Sequence, residues 1–222
     1  MSEHEHGSHP TPDEAGWDER YRSSARIWSG RPNPQLVAEI SGMAPGLALD
    51  VGCGEGADAL WLAQAGWDVV GADISGVALE RAAEHARQAD PATAARIRWR
   101  HADLLAHPPE PDGFDLVSAQ FMQLPPDLRT RLFTALAASV MVGGTLLVVG
   151  HDPSDMESGV HRPRMPEVFY TAAEVAALLD DSWTVAVNEA RPRAAATPEG
   201  SEATVHDAVL RATRRGTTGP TS

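Results

Sequence analysis

Apolar runs alternate with amphipathic segments through the middle of the chain. Short apolar runs bounded by glycine or polar residues predict buried strands, and apolar positions at helical spacing predict helices. The predicted strands cover 47–51, 67–74, 95–101, 114–120 and 145–150, and the predicted helices between them cover 57–65, 76–89 and 126–140. Strand and helix in this order predict a parallel sheet with helices on both faces.

The two ends of the chain depart from this rhythm. Helices or helical turns are predicted over 17–29 and 34–42, either side of the Pro-Asn-Pro at 32–34, and a helix is predicted from the capping-box residue Thr171 to about 180. Two β-like runs, 183–191 and 203–212, have only a loop between them and should pair antiparallel. The sequence therefore predicts an α/β fold: a doubly wound, mostly parallel seven-stranded sheet with a terminal antiparallel strand.

Domain organisation follows from where apolar periodicity begins and ends. Residues 1–15 and 214–222 lack it and are predicted to be disordered tails. Residues 16–213 are predicted to form a single domain, with a helical segment at 16–45 and the sheet core at 46–213. The three histidines of the first tail have no fixed geometry, so we predict no metal site.

Charge and composition exclude several classes of function. The chain has 18 basic and 31 acidic residues and a net charge of −13, which disfavours nucleic acid and anionic membranes as partners. All the basic residues are arginine, so a Walker lysine and Schiff-base chemistry are excluded. A single cysteine excludes an internal disulfide, and no apolar run is long enough to cross a membrane. We expect a cytoplasmic protein, monomeric or homodimeric.

The most informative stretch is ALDVGCGEGADAL at 48–60. Its three glycines lie where a buried strand turns into a helix, which is typical of a tight turn or of a cradle for a ligand. The glycine triplet by itself does not exclude a dinucleotide-binding site. Asp50 and Glu55 decide between ligands, because two carboxylates would repel a pyrophosphate and attract a cationic nucleoside such as S-adenosylmethionine.

Two further acids follow the next strands. Asp73 comes 21 positions after Gly52, where a carboxylate can accept both ribose hydroxyls. Asp103, in RHADLL, could accept from an adenine amine, and a turn cap explains it equally well. Together with Asp50 these acids should converge on one crevice at the carboxyl ends of the strands.

Residues 47–151 resemble the core of class I S-adenosylmethionine-dependent methyltransferases, which have a Rossmann-like fold. The matching segments, in order, are LDVGCGEG, VVGADIS, RHADLL, FDLVSAQFMQLP and GGTLLVVG. The N-terminal WDERYRSSARIWSGRPNP is similar to lead-in segments of the thiopurine and tellurite-resistance methyltransferases.

The resemblance implies S-adenosyl-L-methionine as cofactor and assigns residues to it. The implied lining residues are Asp50, Gly52, Cys53 and Gly54 for the methionine part, Asp73 and Ile74 for the ribose and adenine, Asp103 and Leu104 for the adenine edge, and Ala119 and Gln120 for the amino acid moiety. Tyr21 and Trp28 could close over the cofactor, or be ordinary core aromatics.

Methyl transfer needs a general base only when the acceptor is protonated. The candidate base is His151, directly after the fifth strand, with Asp152 to orient it or to cap the next turn. His161 and Arg162 are further acceptor-side candidates in the segment 152–168, a predicted lid or substrate loop.

We therefore predict methyl transfer from S-adenosylmethionine to a small-molecule acceptor. The signature of nucleobase amino methylation is absent from SAQFMQLPP, which argues against a nucleic acid substrate. Two alternatives stay open: a non-catalytic module that binds S-adenosylmethionine or a metabolite, and an NAD-linked oxidoreductase.

Overall fold

A computed structural model describes residues 13–157, 165–196 and 201–216. Its strands are β1 Leu47–Val51, β2 Asp68–Asp73, β3 Ile97–His101, β4 Phe114–Gln120, β5 Val140–His151, β6 Trp183–Ala196 and β7 Glu202–Arg214. Its α-helices are α1 Glu14–Arg22, α2 Pro34–Ile40, α3 Ala57–Gln64, α4 Gly76–Ala89, α5 Pro91–Ala94, α6 Pro126–Ser139 and α7 Ala172–Ala176. Short 3-10 helices lie at Pro153–Glu157 and Pro166–Val168.

The strands form one sheet in the order β3-β2-β1-β4-β5-β7-β6. The neighbours from β3 to β5 are parallel, and β7 runs antiparallel to both β5 and β6. The predicted fold class is confirmed. A parallel pairing of β6 and β7 would have needed a crossover that the short connection between them cannot supply.

The strand order reverses between β1 and β4, because the chain builds outward to β3 before it returns to the other side of β1. Ligands of open α/β sheets bind at such a reversal, outside the carboxyl ends of the strands. The glycine loop follows β1 directly, so the topology places it at this point.

The core consists of two apolar layers, one on each face of the sheet. Along β5, Leu146 and Val148 pack in one layer, and Leu147 and Val149 pack in the other. This alternation is the two-residue period of a strand that is buried on both faces.

Several predicted boundaries were wrong. The helix predicted over 17–29 begins at Glu14, where Asp13 accepts a hydrogen bond from the Gly16 N–H, and it ends at Arg22. Glu14 and Ala15 are therefore helical rather than part of a tail. Residues 1–12 and 217–222 of the predicted tails lie outside the described residues.

The last third of the sheet also differs from prediction. β5 begins at Val140, because Phe114 pairs with Val140 before a register shift brings Leu116 opposite Thr145. Gly143, with φ of 86°, lies in this irregularity rather than in a turn before the strand. α7 ends at Ala176 rather than near 180, and β6 continues to Ala196.

Gly71 in β2 lies beneath the indole of Trp99, its partner in β3. A Cβ at Gly71 would lie 2.7 Å from that ring and 3.3 Å from the Cys53 Sγ. Gly71→Ala should therefore lower the free energy of unfolding by about 1–3 kcal/mol, as expected for overpacking. Urea denaturation measures this change.

Gly76→Ala is the matched control. It makes the same substitution at the first residue of α4, where the nearest atom to a new Cβ is 4.0 Å away. Its stability should be unchanged or raised by up to about 1 kcal/mol. Equal effects at the two sites would contradict the packing argument.

Candidate functional site

The loop after β1 holds three glycines in the left-handed region. Their φ angles are 65° at Gly52, 53° at Gly54 and 85° at Gly56. A Cβ on Gly54 would lie 2.9 Å from the Tyr21 hydroxyl, and one on Gly56 would lie 2.8 Å from Trp99. Backbone conformation and close packing therefore both require glycine here.

Asp50 and Asp58 form a carboxyl pair beside this loop. Asp50 is 2% exposed, and its Oδ2 accepts no hydrogen bond within the described part of the chain. Burial raises the pKa of Asp50 well above its usual value, and the Asp58 and Asp73 charges raise it further. Burial also raises the pKa of Asp58 to about 6. A cationic ligand group would stabilise this pair in its ionised form.

Cys53 is a packing residue within the loop. Its thiol is buried, and its N–H donates to the Ala72 carbonyl at 3.0 Å, joining the loop to β2. Burial raises the pKa of the thiol well above its usual value, and the Asp50 carboxylate adds to the effect. A thiol in this environment is a poor nucleophile.

Asp73 closes the other side of the loop. One carboxylate oxygen accepts the Gly54 N–H at 2.8 Å, and the other accepts the Ser75 N–H at 2.8 Å. Burial raises the pKa of Asp73, and the two backbone hydrogen bonds oppose that shift. A carboxylate oxygen can accept more than one hydrogen bond, so this arrangement leaves Asp73 able to accept hydroxyl donors.

Tyr21 and Trp28 lie together over Gly54. The Trp28 Nε1 donates to the Tyr21 hydroxyl at 2.9 Å. Tyr21 is buried, whereas Trp28 is 45% exposed. The structure therefore brings both predicted aromatics to the glycine loop, with Trp28 as the one that a ligand can reach.

Glu55 has a different role from the one predicted. Its Oε2 accepts the Ile27 and Trp28 N–H groups at 3.3 and 3.2 Å, and its Oε1 pairs with Arg81 at 3.0 Å. Arg81 also donates to the Tyr21 carbonyl at 2.5 Å. Glu55 thus anchors the N-terminal segment with its charge compensated. It does not add a ligand-facing charge, so the acidic pair beside the loop without a compensating cation is that of Asp50 and Asp58.

Asp103 caps a turn. Its Oδ1 accepts the Leu105 N–H at 2.8 Å and the Ala106 N–H at 3.3 Å. Leu104 is buried, and the half-buried Ile74 has its carbonyl 2.8 Å from the His101 Nε2. The turn-cap interpretation is confirmed for Oδ1, while the adenine interpretation of Asp103 stays a prediction.

Sequence reasoning missed a hydrogen-bond network across the loop. The Asn33 N–H donates to Asp58 at 2.6 Å, and the Asn33 amide donates to the Gln120 oxygen at 2.8 Å. Gln120 in turn donates to the Ser118 hydroxyl, and Ala119 between them is fully buried. The sequence signal for this network was the asparagine between two prolines. Asn33 also caps α2.

His151 ends β5 beside two phenylalanines. Its ring centroid lies 4.6 Å from that of Phe121 and 6.1 Å from that of Phe169. Asp152 accepts from the N–H and the hydroxyl of Ser154, so it caps the next turn, as one of its two interpretations predicted. His161 and Arg162 lie outside the described residues, as does part of the predicted lid 152–168.

The described residues contain neither a candidate metal cluster nor a helix that could span a membrane. Within 13–157, 165–196 and 201–216, no group of three or more histidine, cysteine or acidic side chains is arranged to hold a metal ion. No helix in those ranges is long and apolar enough to cross a membrane.

Comparison with known proteins shows similarity to methyltransferases over the sheet core. Residues 48–144 match the model of a methyltransferase domain. A solved structure described as the conversion of a disulfide bond into a thioacetal group during echinomycin biosynthesis superposes with a TM-score of 0.70, at 23% identity, covering 93% of each chain. Over residues 48–144 the chain is therefore similar to methyltransferase domains, and its fold is that of the superposed structure.

Two further proteins resemble this chain. The 2-heptyl-1-hydroxyquinolin-4(1H)-one methyltransferase of Mycobacteroides abscessus is 29% identical over 149 residues, which are 64% of each chain. The chain thus spans just under two thirds of that curated relative. The 1,6-didemethyltoxoflavin-N1-methyltransferase of Burkholderia thailandensis, solved with S-adenosylhomocysteine, has a TM-score of 0.65 at 16% identity, covering 91% of this chain and 87% of its own.

Glu55→Ala should loosen the N-terminal segment that contains Ile27 and Trp28. The change leaves Arg81 without its carboxylate and two N–H groups without an acceptor, at a cost of about 2–3 kcal/mol in stability. Hydrogen exchange at Ile27 and Trp28 should accelerate. Glu84→Ala, which breaks an exposed pair with Arg87 on the same helix as Arg81, is the control and should cost less than about 0.5 kcal/mol. Unchanged exchange at Ile27 and Trp28 would contradict the anchor role.

Asp58 should make stability fall as the pH rises. Its pKa is about 6 in the folded chain against 3.8 ordinarily, so folding favours the protonated form, and the contribution is lost as pH rises from about 4 through 6. The free energy of unfolding of Asp58→Asn, taken relative to that of wild type at the same pH, should be higher at pH 7 than at pH 4 by about 1–2 kcal/mol. Urea denaturation at both pH values measures this, with the exposed Asp68→Asn as control. A stability difference independent of pH would refute the raised pKa.

Proposed function

We propose that this chain transfers a methyl group from S-adenosylmethionine to a small-molecule acceptor and releases S-adenosylhomocysteine. The observation that carries the proposal is the pair formed by the buried Asp50 and the half-buried Asp58 beside the glycine loop. Asp50 Oδ2 is buried and accepts no hydrogen bond from a described residue, so a ligand with an ammonium group would satisfy it. A pyrophosphate would bring further negative charge to this pair, which disfavours NAD.

The remaining residues of the loop fit the same ligand. Asp73 retains acceptor capacity for ribose hydroxyls, and the missing side chains at Gly52 and Gly54 let a ligand approach the backbone. The other proposed contacts are Cys53 through its backbone, Ile74, Asp103 and Leu104 around the adenine, Ala119 and Gln120 at the amino acid moiety, and Tyr21 and Trp28 as a cover.

The chemistry asks little of the protein beyond alignment. Bound S-adenosylmethionine supplies a methyl group on a sulfonium, which a lone pair of the acceptor displaces as the carbon–sulfur electrons return to sulfur. The chain must orient the acceptor and exclude water. His151, at the end of β5, is our candidate to take the proton of an acceptor that is protonated at working pH.

Several features support a small molecule as the acceptor. The net charge of −13 opposes a nucleic acid partner, and the described residues leave no separate substrate domain. The names of the two similar methyltransferases also specify small heterocyclic acceptors.

The test is calorimetric titration with S-adenosylhomocysteine, with NADH as the negative control. We expect binding of the first alone. Asp73→Ala should weaken that binding about tenfold to a hundredfold, through loss of charge-assisted hydrogen bonds. Asp68→Ala removes an exposed carboxylate at the other end of β2 and should leave the affinity unchanged.

Failure to bind S-adenosylhomocysteine would overturn the proposed function. Because Asp73 also holds Gly54 and Ser75, the folded state of Asp73→Ala is checked by urea denaturation before its affinity is interpreted. A wild-type protein that binds the cofactor yet methylates no thiol, phenol or amine would be the non-catalytic module instead.

A further inference from the structure

Phe121, directly after β4, has an unusual backbone conformation. Its φ is 54°, in the left-handed region that bulky residues rarely adopt. Its N–H donates to the Val149 carbonyl at 2.7 Å, and its carbonyl accepts the Gln123 N–H at 2.9 Å. Strain of this kind persists where the surrounding structure holds it, and it is concentrated at functional sites.

The strained turn directs two successive side chains to different places. Met122 points to the glycine loop, since its Sδ lies 2.7 Å from where a Cβ on Gly52 would be. Phe121 lies against His151, with ring centroids 4.6 Å apart and planes inclined by 37°. The turn therefore joins the glycine loop to an aromatic surface, and both rings of that surface are half-buried rather than enclosed.

Phe169 forms the back of this surface. It is 5% exposed, and its ring lies 6.1 Å from that of His151. The next residue, Tyr170, is fully buried across Gly150, where any Cβ would collide with the tyrosine ring. Tyr170 also meets Phe133 edge to face, with centroids 5.5 Å apart. Phe169 is thus fixed in place by a packed neighbour.

We propose that Phe121, His151 and Phe169, the aromatic cluster, form the acceptor subsite and select a planar aromatic acceptor. The inference rests on the proposed function and names its substrate class. Aromatic rings prefer other rings at centroid separations of about 4.5–7 Å, and the exposed parts of Phe121 and His151 offer such a partner a face beside the glycine loop. A saturated ring of the same size has no such preference.

The test is a binding measurement on protein saturated with S-adenosylhomocysteine. 2-Naphthol and decahydro-2-naphthol share a skeleton and a hydroxyl, and only the first is planar and aromatic. Calorimetry should show tighter binding of 2-naphthol by about threefold to tenfold. Phe121→Leu keeps an apolar side chain and removes the ring, so it should abolish this ratio and leave the affinity for decahydro-2-naphthol nearly unchanged.

Phe114→Leu is the matched control, because it makes the same substitution at the other end of β4, away from the cluster. It should keep the wild-type ratio. The inference is overturned if wild type shows no preference for 2-naphthol, including no binding of either compound, or if Phe121→Leu retains the preference. If wild type does not bind S-adenosylhomocysteine at all, the proposed function fails. That result is distinguishable from a failure of the acceptor-subsite inference, in which S-adenosylhomocysteine still binds.

Discussion

The candidate site depends on acidic side chains that are held, buried or half-buried, around a glycine loop at the carboxyl end of a parallel sheet. Asp50 lies one residue before the end of β1, Asp73 ends the adjacent strand β2, and Asp58 lies in the first turn of α3. Burial raises the pKa of all three carboxyls, because desolvation disfavours their charged forms. Asp73 offsets part of this desolvation cost by accepting two backbone N–H groups. Asp50 Oδ2 accepts no hydrogen bond from a described residue. The site therefore favours a ligand that brings a positive charge.

The N-terminal segment is held to this site by contacts on both sides of the loop. Glu55 accepts two N–H groups of the segment and pairs with Arg81, while Asn33 bridges Asp58 and Gln120. The segment thus contributes both a cover, in Trp28, and a hydrogen-bond link to the end of β4. These side chains link the residues around the proposed cofactor by hydrogen bonds to the end of β4, where the proposed acceptor subsite begins.

The end of β4 divides the site into two regions. Met122 lies against the glycine loop, and the preceding residue, the strained Phe121, lies against His151. In methyl transfer the donor and the acceptor must meet in line, so their binding regions must share a boundary. In the proposed assignment the strained turn is that boundary, which would give a physical reason for a phenylalanine at a position where glycine would be less strained.

The sequence by itself determined the order of strands and helices, the antiparallel last strand, the glycine loop and its strand-end acids. These are local consequences of apolar period, turn chemistry and chain direction. It did not determine the ends of α1 and β5, or the role of Glu55. Glu55 meets a partner 26 positions away, and Phe121, His151 and Phe169 come together from three separate segments. Only the tertiary structure decided these pairings, because a side chain's charge compensation and packing depend on neighbours that the local pattern does not specify.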